Sequence, residues 1–266
     1  MKKTVASVEI KGQLKSDIEH ALNQLGGLQS FVTPHDRVLL KPNFNTADPF
    51  PASTDIAFLK AVVELVYKQN PKQVIIGESS TFRLRAKDVM RKLGVYDFQK
   101  TYPELVIHDF NDGKWVKKSI PNGKYLKKAS IPEILDQVDK IILLPCCKTH
   151  SIGKFTGSIK LAVGFMRPRE RLSMHIRKVQ EKIAELNTLY NPDLIIMDAR
   201  KCFINKGPSK GTIENPNTIL ASYDRIAIDI EGIKIIQSYK GNSLADIKPN
   251  ELVQIKYLAE LLGKSI

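Results

Sequence analysis

The stretch LLPCCKTHSIGKFTGSIK, from Leu143 to Lys160, gathers two of the chain's three cysteines, one of its five histidines and three of its lysines. Such a set supports three chemistries. An imidazole titrates near neutrality, so His150 is suited to general acid or base work on an anion held by Lys148 and Lys160. Cys147-Lys148-Thr149-His150 has the C-x-x-H spacing, and Cys146, Cys147, Cys202 and His150 together would make a zinc or iron–sulfur set. A cysteine nucleophile activated by His150, its thiol acidified by Lys148, is the third.

These residues follow an apolar run, KIILLP, that reads as a strand, and three other polar segments also follow such runs. After RVLL comes KPNFNTADPFPAST; after QVII comes GESSTFR; after LIIM comes DARKCFINKGPSKGT. Ligands of open α/β sheets bind beyond the carboxyl ends of the strands, so four such loops are expected to share one edge. They supply Lys41 and Asn43, Glu78 and Ser79, Lys148, Thr149 and His150, and Asp198 with Gly207 and Gly211. Glu78 or Asp198 would orient the imidazole or bind a metal. Gly207 and Gly211 would let backbone amides approach a phosphate or carboxylate, although NKGPSKGT lacks P-loop spacing. The run FTGSIKLAVGF reads as a helix starting near Thr156 or Gly157. Its amides would face the site, with Thr156, Ser158 and Lys160 completing an anion pocket. His175, between Arg171 and Arg177, reads as a solvated helix-start residue.

The elements that carry these loops alternate between short apolar runs and longer helical segments, the pattern of a parallel sheet covered by helices. Strands are expected at TVASVEI, RVLLK, QVIIG, LVIHDF, KIILLP and LIIMDA. A helix capped by Ser53 or Thr54, with Asp55 near its positive end, covers STDIAFLKAVVELVYKQ. Ile176, Val179, Ile183, Leu186 and Tyr190 make one stripe of a second helix, whose Lys178, Glu181, Lys182 and Glu185 face water. Further helices start at Asp224 and in NELVQIKYLAELLGK. Asn122-Gly123 predicts the turn of a small antiparallel hairpin inserted at about 111–130. The expected fold is one α/β domain over residues 1–266. It has an open, largely parallel sheet, helices on both faces and that hairpin.

With 266 residues and 42% hydrophobic content the chain can bury a substantial core, which excludes disorder as its dominant state. Forty-one Lys and Arg against 28 Asp and Glu give a net charge of +13 and favour anionic partners. The cations are dispersed and carry no interleaved aromatics, so general basicity is the first reading and nucleic-acid binding the second. No run is long enough for a membrane span, and the odd cysteine count does not suit an extracellular disulfide framework. A cytoplasmic protein without a membrane partner is expected.

The ordered series VLLKPN with ASTD, VIIGESS, CCKTHSIGKFTGSIKLAVG, NPDLIIMDA, GPSKGT and NTILASYDRIAID resembles the prokaryotic family called domain of unknown function 362. The resemblance runs from about Val38 to Ile236. It implies the α/β core and a motif map centred on Lys148-Thr149-His150, Thr156, Lys160, Asp224 and Asp229. Many relatives carry ferredoxin-like modules; this chain lacks a repeated C-x-x-C-x-x-C run. The leading expectation is an enzyme acting on a small anionic substrate, bound by Lys41, Asn43, Ser79, Thr149, Thr156, Lys160, Gly207 and Gly211. His150, Lys148, Glu78 and Asp198 would carry the chemistry. A metal or iron–sulfur protein using Cys146, Cys147 and Cys202 is the alternative, and a nucleic-acid-binding protein the second alternative.

Overall fold

A computed structural model describes residues 4–266. Its strands are β1 (Val5–Glu9), β2 (Arg37–Lys41), β3 (Gln73–Glu78), β4 (Val106–Asp109), β5 (Trp115–Ser119), β6 (Lys128–Pro132), β7 (Lys140–Leu143), β8 (Cys146–His150), β9 (Lys154–Thr156), β10 (Leu194–Phe203), β11 (Ile213–Glu214) and β12 (Thr218–Ser222). The helices are α1 (Leu14–Asn23), α2 (Ile56–Tyr67), α3 (Ala86–Lys92), α4 (Ser158–Leu161), α5 (Pro168–Met174), α6 (Val179–Leu186), α7 (Arg225–Gln237) and α8 (Val253–Leu261). All six strands expected from apolar runs are present.

The main sheet runs β1-β12-β10-β7-β2-β3-β4, with β8, β9 and β11 attached through β10 and β8. Strands β10, β7, β2, β3 and β4 are mutually parallel, while β12 and β1 close one side antiparallel. The chain leaves β2 through β3 to β4, then returns to place β7 on the other side of β2. The β2–β7 boundary is therefore where the winding direction reverses, the place where doubly wound sheets open a crevice at their carboxyl edge.

Side chains alternate across this sheet and divide the interior into two cores. Val38, Leu40, Val74, Ile76, Ile142 and Ile196 meet α1, α2 and α3 on one face. Leu39, Ile75, Ile141, Leu143, Ile195 and Met197 meet α4, α6, α7 and α8 on the other. Helices thus cover both faces, as expected.

Capping explains where helices begin. Asp55, rather than Ser53 or Thr54, caps α2 by accepting from Phe58 N at 3.0 Å. Thr54 has another task, accepting from Asn43 N at 2.7 Å and so tying the loop after β2 to the start of α2. Asp224 caps α7 through Ile226 N and Ala227 N, as expected.

Two local expectations need correction. Ile176 is 74% exposed and not in the helical stripe, because the chain forms α5 first and reverses through Lys178 at φ 56° before α6 starts. Glu185 is buried instead of solvated. Its carboxylate accepts from Lys124 N, Tyr125 N and Leu126 N and from the Tyr257 hydroxyl, pinning the β5–β6 hairpin connection to the helices.

Candidate functional site

At the carboxyl edge of β2 and β3, beside the reversal point, lies a cleft of about 340 Å³. It draws on all four loops. Lys41 and Asn43 come from the first, Glu78 and Ser79 from the second, Lys148, His150, Thr156 and Lys160 from the third, and Pro208 and Ser209 from the fourth.

Lys41 and Glu78 are the last residues of β2 and β3; with Leu40 opposite Ile76, Lys41 ends level with Gly77 and Glu78 lies one residue beyond, within reach of the lysine. Their charged groups meet at 2.7 Å with both side chains buried. The carboxylate also accepts from Phe44 N and Ser79 N, each at 2.8 Å, and Lys41 Nζ donates to Pro42 O at 2.7 Å. Burial pushes the Lys41 amine down and the neighbouring Glu78 raises it again. Gly164 closes this arrangement from above; a Cβ there would come within 2.7 Å of Lys41 Nζ. Glu78 therefore has its oxygens filled and acts as an anchor rather than a free base.

The segment expected as the loop after KIILLP is instead mostly strand. Past Pro145, whose carbonyl accepts from Asp198 N, the chain resumes pairing with β10 as β8 and folds back antiparallel as β9. Alternation turns Lys148 and His150 to the cleft. Lys148 Nζ donates to Ala52 O, and burial lowers its amine while Cys146 and Asp48 raise it. His150 Nδ1 accepts from Ile152 N and Gly153 N, both at 3.1 Å, which leaves the ring proton on Nε2. Burial, then Lys160, His175 and Lys148, hold its pKa down to about 3. His150 is thus a neutral donor through Nε2–H.

Lys160, half-buried on α4, has no hydrogen-bond or ion-pair partner among the described residues. Burial and the cations Lys148 and Arg171 lower it to about 8. Its stem lies against Gly153, where a Cβ would come within 3.1 Å of Cε. Close by in sequence, the Thr156 hydroxyl is buried in the cleft wall without a hydrogen-bond partner.

Arg171, which sequence reasoning missed, is a further buried cation of the cleft. It donates to the carbonyls of Met166, Ser79, Ser80 and Gly164 at 2.7–3.1 Å and to the Ser79 hydroxyl, fastening α5 over the second loop. Burial brings it down to about 10, against the pull of Glu78. Asn45, Thr46, Asp48 and Thr81 are further lining residues that the sequence did not single out. His175 is exposed, as expected, but it stands at the C-terminal end of α5 instead of a helix start, its Nδ1 2.7 Å from Arg171 O, and it also lines the cleft. The only signal for Arg171 was the Pro168 helix start; its charge was hidden in a generally basic run.

The remaining expected residues lie outside the lining. Thr149 is buried on the opposite face of β8 and accepts from Gly207 N at 3.2 Å, holding the fourth loop. Gly207 is needed because a Cβ would lie 2.1 Å from Thr149 O, and Gly211, at φ +154°, packs its Cα against Asn205 O. Asp198 is paired with Arg200, which bridges to Asp55 at 2.9 Å. Burial raises the Asp198 carboxyl and Arg200 counteracts it. The expected anion site at the start of α4 is filled from within. Asp229, pushed up to about 7 by burial, accepts from Ser158 N, Ser158 Oγ and Ile159 N at 2.7–3.0 Å.

The cysteines do not assemble as a metal set. On a strand the C-x-x-H spacing sends thiol and imidazole to opposite faces, whereas a chelate needs a turn or helix. Cys147 faces the core, donating to Gly232 O at 3.4 Å and lying beside Cys202, while Cys146 faces Thr54 and Asp198. Burial pushes the Cys146 thiol up to about 12, and the Cys202 contact followed by burial raises Cys147 well above the usual range. Such thiols are neutral, which also disfavours a cysteine nucleophile. Among the described residues no three His, Cys, Asp or Glu side chains converge as metal ligands.

Comparison with known proteins agrees with this architecture. The chain is 28% identical over 235 residues to the thylakoid-associated protein sll1697 of Synechocystis sp. (strain ATCC 27184 / PCC 6803 / Kazusa), covering 85% of this chain and 71% of that one. Its fold is similar to that of the lactate racemase apoprotein from Thermoanaerobacterium thermosaccharolyticum, with a TM-score of 0.55 at 14% identity. That likeness covers 84% of this chain, which spans about half (55%) of the racemase. No described helix is long and apolar enough to cross a membrane. The family model for the domain of unknown function DUF362 matches residues 38–234, and the chain belongs to that family.

Proposed function

We propose that the protein is an enzyme acting on a small anionic molecule, phosphorylated or carboxylated, held in the cleft between β2, β3 and β8. The observation that carries this reading is Lys160, a half-buried cation without a counter-ion in a cleft that also holds Lys148 and Arg171. Burying like charges together is costly unless an anion from outside joins them. The unpartnered Thr156 hydroxyl offers that anion a hydrogen bond in the same wall.

Each residue has a distinct part. Lys160 and Lys148 contact the anion, while Arg171, its donors spent on carbonyls, adds positive field without contact. Asn43, Ser79 and Thr156 orient the molecule. His150 donates an Nε2–H hydrogen bond to a substrate oxygen and stabilises negative charge developing there, keeping its own proton, because two amides hold Nδ1 and the ring stays neutral. Lys41 and Glu78 keep the strand ends in register beneath it. Thr149, Gly207 and Gly211 position the fourth loop.

The lactate racemase whose fold is similar is named for a small hydroxycarboxylate, a member of the same chemical class. That likeness speaks for the fold; the substrate class rests on the cleft. The reading includes no zinc or iron–sulfur step, because Cys146, Cys147, Cys202 and His150 face different compartments. A cytoplasmic location belongs to the same reading.

The test is thermal stability with sulfate, inorganic phosphate and small carboxylates at fixed ionic strength, for the native chain and Lys160→Met. A rise in Tm with anions, lost in the variant, supports the reading. No rise with any of these, or an equal rise in the variant, refutes it.

A further inference from the structure

The net charge of +13 is far larger than the cleft's Lys41, Lys148, Lys160 and Arg171 explain. Exposed large apolar side chains are unevenly placed. Phe82 and Leu172 line the cleft, at 48% and 58% exposure. Leu84 follows Phe82 by two residues, Ile152 sits in the turn whose amide holds His150, and Ile176 follows the cleft residue His175; all three are exposed, Ile176 at 74%. Five of the eleven exposed large hydrophobics of the described chain thus line the cleft or follow one of its lining residues within two positions.

Exposed cations alternate with them. Arg83 separates Phe82 from Leu84, Lys154 follows Ile152, Arg169 precedes Leu172 by one helical turn, Arg177 follows Ile176, and Lys206 and Lys210 flank the Pro208–Ser209 wall. None of these six has an ion-pair partner among the described residues. Of the acidic groups nearby, Glu170 accepts from Ser130 N and Oγ, Asp112 pairs with Arg85, Asp88 pairs with Arg91, and Asp48 in the cleft accepts from Thr46 Oγ1 at 2.6 Å. A rim with protruding apolar side chains between unpaired cations is complementary to one surface above others, a bilayer with anionic headgroups. Apolar side chains enter the acyl boundary while Lys and Arg remain among the headgroups.

We infer that the rim formed by Phe82, Leu84, Ile152, Leu172 and Ile176 with its interleaved cations docks on an anionic membrane surface, presenting the cleft to that surface. Peripheral docking needs no spanning helix, so the absence of one among the described residues does not bear on it. The inference is independent of the reaction proposed for the cleft.

The experiment is co-sedimentation with vesicles of phosphatidylcholine alone and of phosphatidylcholine mixed with phosphatidylglycerol. It uses the native chain and a double variant, Ile152→Ser with Ile176→Ser. Both sites are exposed and neither lines the cleft, and an unchanged Tm and sulfate response confirm an intact fold and cleft. The native chain is expected to bind the mixed vesicles, to bind phosphatidylcholine weakly, and to lose about tenfold or more in partitioning in the variant. Absence of binding to the mixed vesicles overturns the inference. So does binding that the serines leave unchanged, since that is charge attraction alone. A dimer in vesicle-free solution that the serines dissociate would give the rim to a second copy. Retention on duplex DNA with no vesicle binding would assign the cations to nucleic acid; either result overturns the inference.

Discussion

Lys41 Nζ and the Glu78 carboxylate lie 2.7 Å apart beneath the cleft, with side-chain exposures of 1% and 2%. Removing one partner leaves the other charge buried. Glu78→Gln is expected to destabilise the fold by roughly 3–5 kcal/mol in urea unfolding, whereas adding Lys41→Met to it recovers part of that loss. Additive losses would show that the two charges do not interact.

Anion affinity should depend on pH through Lys160. Its pKa in the folded chain, about 8, lies below the ordinary 10.5. Between those values the unfolded chain holds more protons, so stability rises with pH across that window, and below about 8 the cost of the buried charge is fully present. Sulfate, which does not titrate there, offsets this cost. Its effect on Tm is expected to be largest below about pH 8 and to fade above it. Lys160→Met should show a smaller effect without that pH dependence.

His150 predicts the opposite end of the pH scale. Its folded value of about 3 lies below the ordinary 6.5. Between those limits the unfolded chain binds a proton that the folded ring refuses, so this contribution to stability falls as pH drops from about 6.5 towards 3. His150→Gln keeps an acceptor for the Ile152 and Gly153 amides and cannot bind that proton. Its unfolding free energy should fall less steeply than that of the native chain between about pH 6 and pH 4. Nitrogen chemical shifts should report Nε2 as the protonated position at neutral pH.

Gly207→Ala forces a methyl group to within 2.1 Å of Thr149 O, backbone that cannot swing aside. A loss of about 1–3 kcal/mol in urea unfolding is expected, with weakened sulfate binding as the fourth loop shifts. Native stability and native binding in this variant would show that the loop is not held by that approach.

The sheet was legible because its strands are short apolar runs between helices, and apolar burial on two faces leaves them few other places to lie. The convergence of Lys41, Glu78 and Lys148 was legible for the same reason, since each ends or follows such a run, and Lys160 was legible from the helix that starts after the third loop. Strand β8 was not, since CCKTH has no apolar alternation and its pairing with β10 is imposed by tertiary structure. The metal expectation fell with it. Arg171 was hidden because a buried arginine bonded to carbonyls has the same letter as a solvated one. Helix α6 began late because the αL conformation at Lys178 is not encoded by a Gly.

Strand β8 also carries a consequence for how this chain can vary. Its alternate residues serve two compartments, Lys148 and His150 the solvent-facing cleft, Cys147 and Thr149 the dry interior and the loop brace. Each position tolerates exchange for a side chain of matching character. Loss or gain of a single residue between Pro145 and His150 would exchange the compartments, sending thiol outward and ammonium inward. Divergence along this segment is therefore open to substitution and closed to changes in length.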